Sequence, residues 1–244
     1  MRLIRAFFMC LGMFTSIPCP YRPWDEDARD WMLVMLPAVG LVVGALWFGL
    51  LQLSDALIPQ IHSAMIVALP WLLTGFIHLD GYMDTCDAML SWRPLEKRLE
   101  ILKDSHTGAY AVVGLAVLAL FSYDAARSGA MDERLLIFIP VISRCGSAFS
   151  VLTLRPIGHS QYAEMQGRAA QRMAVVVMWA VAMAVCALWL GRVAIALLAE
   201  TVAYAVAMTW VYRTLKGVSG DVAGFALTVS ECVGLIFWAR FGGI

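Results

Sequence analysis

Three aspartates, Asp80, Asp84 and Asp87, recur at intervals of four and three residues in His78-Leu79-Asp80-Gly81-Tyr82-Met83-Asp84-Thr85-Cys86-Asp87. On a helix that spacing stacks the carboxylates on one face. Like charges so placed repel by about a few tenths of a kcal/mol per pair in water. Next to hydrocarbon, where carboxylates are poorly solvated, the cost rises. The pattern therefore asks for a cation. Carboxylate oxygens without His or Cys partners select a hard ion, Mg²⁺ or Mn²⁺. Mg²⁺ binds through one or two carboxylates, substrate phosphates and water. The chemistry this points to is the handling of a diphosphate at a membrane surface. A solvated acidic helix end is the plainer reading, and it leaves the repulsion uncompensated. His78 lies two residues before Asp80, off its helical face, and is a candidate base, a phosphate donor or a simple interfacial histidine.

A second cluster, Lys103-Asp104-Ser105-His106-Thr107-Gly108-Ala109-Tyr110, follows. Lys103 can meet a phosphate as a point charge, and Asp104 is a further candidate ligand. Ser105, Thr107 and Gly108 can present N–H groups ahead of a helix, where anions are favoured. A capped helix start, with Asp104 or Ser105 as the cap, accounts for the same residues. His106 in this turn is a further candidate for phosphate contact. The third cluster is Ser219-Gly220-Asp221-Val222-Ala223-Gly224. Gly220 and Gly224 form a small-xxx-small pair that permits close helix packing. Packing does not explain Asp221, nor Glu231 and Arg144, which stand inside apolar segments and are functional candidates for that reason. Arg144 and Glu231 share a depth of ~15 Å at 1.5 Å per residue, which predicts a buried ion pair. Glu200 is assigned no role, and His62 and His159 read as boundary or loop residues.

These residues must be positioned by membrane helices. Of 244 residues, 61% are hydrophobic and 15% are charged, and the mean hydropathy is +0.76. Soluble domains are nearer half apolar and a quarter charged. The composition excludes a disordered chain and a disulfide-stapled domain, and eighteen basic against eighteen acidic residues gives no support for nucleic-acid binding. Six scattered cysteines without a CxxC, and fourteen methionines, read as apolar filler. Residues 2–17 imitate a signal peptide but lack a cleavage site, and predict a retained interfacial helix. Residues 18–30, rich in proline and charge, form a polar connection, and 92–102 predicts a surface helix. Apolar runs over 31–53, 61–79, 109–123 (with part of 104–108 joining), 135–154, 173–191, 193–212 and 217–239 predict about seven spans. The fold class is all-α, a polytopic membrane protein with one domain over 1–244. With strict alternation, segments 1–30, 80–108, 155–172 and 213–216 carry thirteen of the eighteen Lys and Arg residues. The opposite segments carry four, and Arg144 lies within a span. The basic side, which holds the aspartates, is expected to face the cytoplasm.

The segments HLDGYMDTCDA, LEILKDSHTGAYAV, ISRCGS and SGDVAGFAL, with the opening FTSIPCP and LPAVGLVVGA, occur in that order. Together they resemble the adenosylcobinamide-GDP ribazoletransferase (cobalamin synthase) family over nearly the whole chain. The resemblance implies an Mg²⁺-dependent enzyme of the bacterial cytoplasmic membrane, acting in the last steps of cobalamin biosynthesis. It would join α-ribazole or its phosphate to adenosylcobinamide-GDP, releasing GMP. It implies Asp80, Asp84 and Asp87 as the metal motif; on the in-line phosphoryl transfer this suggests, Asp104 or Asp221 is a candidate further ligand, Lys103 and Arg144 are candidates to neutralise the transferred and leaving groups, and His78 or a spare aspartate is the candidate proton acceptor. Asp104, Ser105, Gly108, Tyr110, Ser143, Gly220, Gly224 and Glu231 would contact substrate. The lipid bilayer is a partner, and other cobalamin-assembly enzymes or further copies of the chain are compatible ones. His106-Thr107 and Thr153-Leu154 depart from the family pattern. Two other readings fit less well. CDP-alcohol phosphotransferases need an Ala-Arg pair shortly after the first Asp-Gly, where this chain has Tyr82-Met83-Asp84. A cation-coupled transporter would place its acids at the midplane of repeated halves.

Overall fold

The computed structural model describes residues 1–21, 24–127, 132–158 and 168–241. His159 lies outside them. Eleven α-helices follow in chain order among the described residues: α1 Arg2–Phe14, α2 Glu26–Arg29, α3 Leu36–Leu57, α4 His62–Leu73, α5 Ile77–Leu90, α6 Leu95–Ile101, α7 Ala109–Arg127, α8 Ile139–Thr153, α9 Ala169–Leu190, α10 Ile195–Leu215 and α11 Gly220–Phe241. No strand is described; one isolated bridge joins Pro156 to Val218. The all-α membrane architecture expected from the apolar runs is what forms. Helices α8 and α11 sit innermost, whereas α9 and α10 turn most of their apolar surface outward.

Five helical stretches are long and apolar enough to cross a bilayer, six when one bent pair is included, against about seven expected. One of the five, Ala169–Leu215, runs for 47 residues. The indole N–H of Trp179 donates to the Thr201 hydroxyl at 3.1 Å. A straight helix would hold those residues ~33 Å apart at 1.5 Å per residue. The stretch therefore doubles back at Gly191, whose φ is +61°, and α9 and α10 are the limbs of a hairpin.

The expected span 61–79 is corrected. Helix α4 stops at Leu73, and α5 leaves it at 93°. Gly75 and Phe76 both take positive φ, and Pro70 removes a donor from the last turn of α4. The exposed end is completed by Ser16, just beyond α1: its N–H meets Leu73 O at 2.9 Å and its hydroxyl meets Leu72 O at 2.5 Å. The run from 61 to 79 carries no Asp, Glu, Lys or Arg and is largely apolar, so hydropathy registers no bend. The third run extends at its far end, to Arg127, and not into 104–108.

Helix ends gather in two sets. At one end Gln171 donates to Asp30 O at 2.6 Å, and Ile157 N–H to Val218 O at 2.9 Å. At the other end His62 Nε2 meets Glu133 at 2.8 Å, and Trp238 donates to Asp132 O at 2.9 Å. Helix α1 buries Ala6, Met9, Cys10, Leu11 and Phe14, so it is packed into the bundle along one face.

Candidate active site

Helix α5 exists as a separate element because of the bend at Gly75, and it crosses α11 in the opposite direction. A Cβ on Gly81 would stand 2.7 Å from Asp221 Cα, and one on Gly224 3.2 Å from His78 O. Both glycines are what allow the two backbones to touch, so the packing role foreseen for Gly224 is realised. Thr228 adds a hydrogen bond to His78 O at 3.2 Å. The crossing brings Asp221 of α11 beside Asp80 and Asp84 of α5, close enough for the charges of Asp80, Asp87 and Asp221 to act on Asp84.

Asp80 is exposed, whereas Asp84 and Asp221 are half-buried. Among the described residues none of the three forms an ion pair. Asp221 accepts only from its neighbour Ser219, at 3.3 Å. No three His, Cys, Asp or Glu side chains among the described residues close into a ready-made metal cage. An open, all-carboxylate, partly wetted set suits Mg²⁺, which keeps water and completes its shell with substrate phosphates. It does not suit zinc, which needs softer, convergent ligands.

Asp87 was expected beside Asp84 as a ligand, and its surroundings differ. It is buried, and both its oxygens are taken: Gly108 N–H donates to Oδ2 at 2.7 Å and Ala111 N–H to Oδ1 at 2.9 Å. Gly108 was expected to offer its N–H to phosphate, and that N–H is spent here. The loop before α7 is otherwise open. Lys103, Asp104, Ser105 and Tyr110 are all exposed. Asp104 accepts from His106 N–H at 3.0 Å and faces its Nδ1 at 2.7 Å, which holds the Asp104 carboxyl below its usual range.

Arg144 and Glu231 form the foreseen buried pair, 2.9 Å apart, and Ser143 donates to the same Glu231 oxygen at 2.8 Å. Glu231 is ten residues beyond Asp221 on α11, ~15 Å along the axis. The structure thus separates Ser143, Arg144 and Glu231 from the aspartate crossing. His78 is half-buried, and its ring stacks on Phe14 of α1 at 6.2 Å and 9°. Gly220 opens α11 next to Asp221. Glu200, given no role from sequence, is wholly buried against Gly234, and neither of its oxygens has a hydrogen-bond partner among the described residues. Its charge acts within the same neighbourhood as Glu231 and Arg144. Its only sequence signal was a carboxylate inside an apolar run.

The fold and site define a polytopic helical membrane protein with an open carboxylate cluster at a crossing of two helices, one of which holds the end of the loop that carries Lys103. The model of the family described as cobalamin-5-phosphate synthase matches residues 6–239. The chain belongs to that family. It is 38% identical over 242 residues to an adenosylcobinamide-GDP ribazoletransferase of Clostridium botulinum (strain Alaska E43 / Type E3), covering 96% of each chain. It is 33% identical over 241 residues to a protein of the same name from Clostridium perfringens (strain ATCC 13124), covering 95% of this chain and 96% of that one. No solved structure matches.

Proposed function

We propose that the chain is an Mg²⁺-dependent adenosylcobinamide-GDP ribazoletransferase. It joins the phosphocobinamide part of its substrate to α-ribazole or α-ribazole phosphate and releases GMP. The observation that carries the chemistry is the set of three unpaired carboxylates, Asp80, Asp84 and Asp221, at the α5–α11 crossing. Mg²⁺ bound there supplies charge neutralisation across the diphosphate. Lys103, exposed and without an ion pair among the described residues, adds a positive charge for phosphate from the loop. Ser105 offers a hydroxyl from that loop.

A ribose hydroxyl of the ribazole attacks the cobinamide-linked phosphorus in line, and GMP leaves. The hydroxyl proton goes to a carboxylate of the crossing or to His78, whose Nε2 has no hydrogen-bond partner among the described residues. Arg144 is committed to Glu231 and serves the packing of α8 on α11 in this reading, not the phosphate. The basic set of helix ends, aspartates included, faces the cytoplasm of a bacterial inner membrane, where the nucleotide substrate is found.

The test is GMP release from adenosylcobinamide-GDP and α-ribazole by the purified protein in lipid, with and without a chelator. Activity should vanish with chelation and return with Mg²⁺. Asp84→Asn should abolish turnover while the protein still inserts and keeps its helix content. Normal turnover in that variant, or indifference to chelation, rejects the metal assignment.

A further inference from the structure

We infer that Asp87 is a positioning residue and not a metal ligand: its carboxylate clasps the start of α7 to the aspartate helix and sets where the loop 102–108 stands over the site. The contrast within one motif carries this. The carboxylates of Asp80 and Asp84 take part in no hydrogen bond or ion pair among the described residues, whereas that of Asp87, 7% exposed, receives two backbone N–H groups from 21 and 24 residues away. Those donors stand at the cap position of α7 and two residues inside it, among the groups a helix start leaves without partners. An N-cap ordinarily comes from the preceding residue of the same chain segment. Here the neighbouring helix supplies it.

Gly108 is the matching half of the clasp. A Cβ there would fall 2.6 Å from Asp87 Oδ1 and 2.8 Å from its carboxyl carbon, inside any real contact. Only glycine lets the carboxylate reach both N–H groups. A consequence follows for the substrate. A carboxylate already occupies the positive end of α7, so that end does not receive the diphosphate. Phosphate recognition falls to the earlier loop residues, Lys103 and Ser105, whose placement the clasp holds.

The clasp rests on the proposed metal reading only for its comparison with Asp84. The test uses the full-length protein in lipid nanodiscs, with Mn²⁺ alone as the binding probe, read by electron paramagnetic resonance, and steady-state kinetics alongside. Asp84→Asn should lose Mn²⁺ affinity by about tenfold or more. Asp87→Asn and Gly108→Ala should each keep Mn²⁺ affinity within about twofold while raising KM for the nucleotide-linked substrate. Because both disturb one contact, the double variant should be no worse than the poorer single variant. Loss of Mn²⁺ affinity in Asp87→Asn equal to that in Asp84→Asn overturns the inference, as do simply additive effects. If Asp84→Asn itself binds Mn²⁺ normally, the metal reading falls, and the non-additive KM effect still upholds the clasp. Should Asp87→Asn fail to fold, Gly108→Ala decides alone: normal Mn²⁺ affinity with raised KM supports the clasp, and lost affinity overturns it.

Discussion

At the scale of single residues, identical chemistry in one motif is divided by environment. Asp84 and Asp87 are three positions apart on α5, yet one is half-buried with no hydrogen-bond or ion-pair partner among the described residues and the other is buried and doubly hydrogen-bonded. Asp104 shows a milder version of the same effect, held by His106 across a two-residue turn. Because its folded pKa is depressed below 3.8, the turn keeps its stabilisation above the unfolded value and loses it as pH falls through the folded one. The carboxyl carbon of Asp104, followed by NMR, should therefore titrate below 3.8, and in His106→Ala its midpoint should rise toward that value. The gain is small, since the pair is exposed.

At the scale of elements, the site is a consequence of how α5, α8 and α11 meet. Arg144 on α8 and Glu231 on α11 hold those helices together in the interior. Removing one partner leaves the other charge buried and unpaired, at a cost of about 3–5 kcal/mol. Arg144→Met should therefore unfold at much lower temperature in detergent, and Arg144→Met with Glu231→Met should recover most of the loss. A double variant as unstable as the single one would mean the arginine acts through other contacts. The pair was legible in the sequence, since two opposite charges at equal depth in apolar runs have few alternatives. The bend that creates α5 was not. It is made by Ser16 meeting the end of α4, 56 residues away, and by positive φ at Gly75 and Phe76. Pro70 and Gly75 mark a weak point in 61–79, but the hydropathy of the run does not distinguish a straight helix from a broken one.

At the scale of the whole molecule, strict alternation of the spans would gather the basic residues on the side that holds the aspartates, and that sidedness can be tested. All six cysteines are buried and free, which leaves a quiet background for labelling. A cysteine introduced by Ser105→Cys should react with a membrane-impermeant maleimide only in inverted vesicles. One introduced by Arg192→Cys should react only in intact cells. The reverse pattern would turn the protein over and remove the nucleotide substrate from the proposed site. The hairpin of α9 and α10 belongs to this scale also. Its two apolar runs were evident from sequence, and the turn at Gly191 lies within a few residues of the place Arg192 suggested.

Hydropathy was sufficient to establish a helical membrane protein, while charge segregation and residue spacing supplied the expectation of a basic face and of a carboxylate-rich site on it. Each of those properties is local or additive along the chain and needs no knowledge of what touches what. The partners of Asp87, the bend before α5, the isolation of the Arg144–Glu231 pair from the aspartates and the burial of Glu200 came only from the folded arrangement. They depend on contacts between segments tens of residues apart, and a carboxylate's role is decided by which hydrogen-bond donors and cations the tertiary fold places within reach of its oxygens.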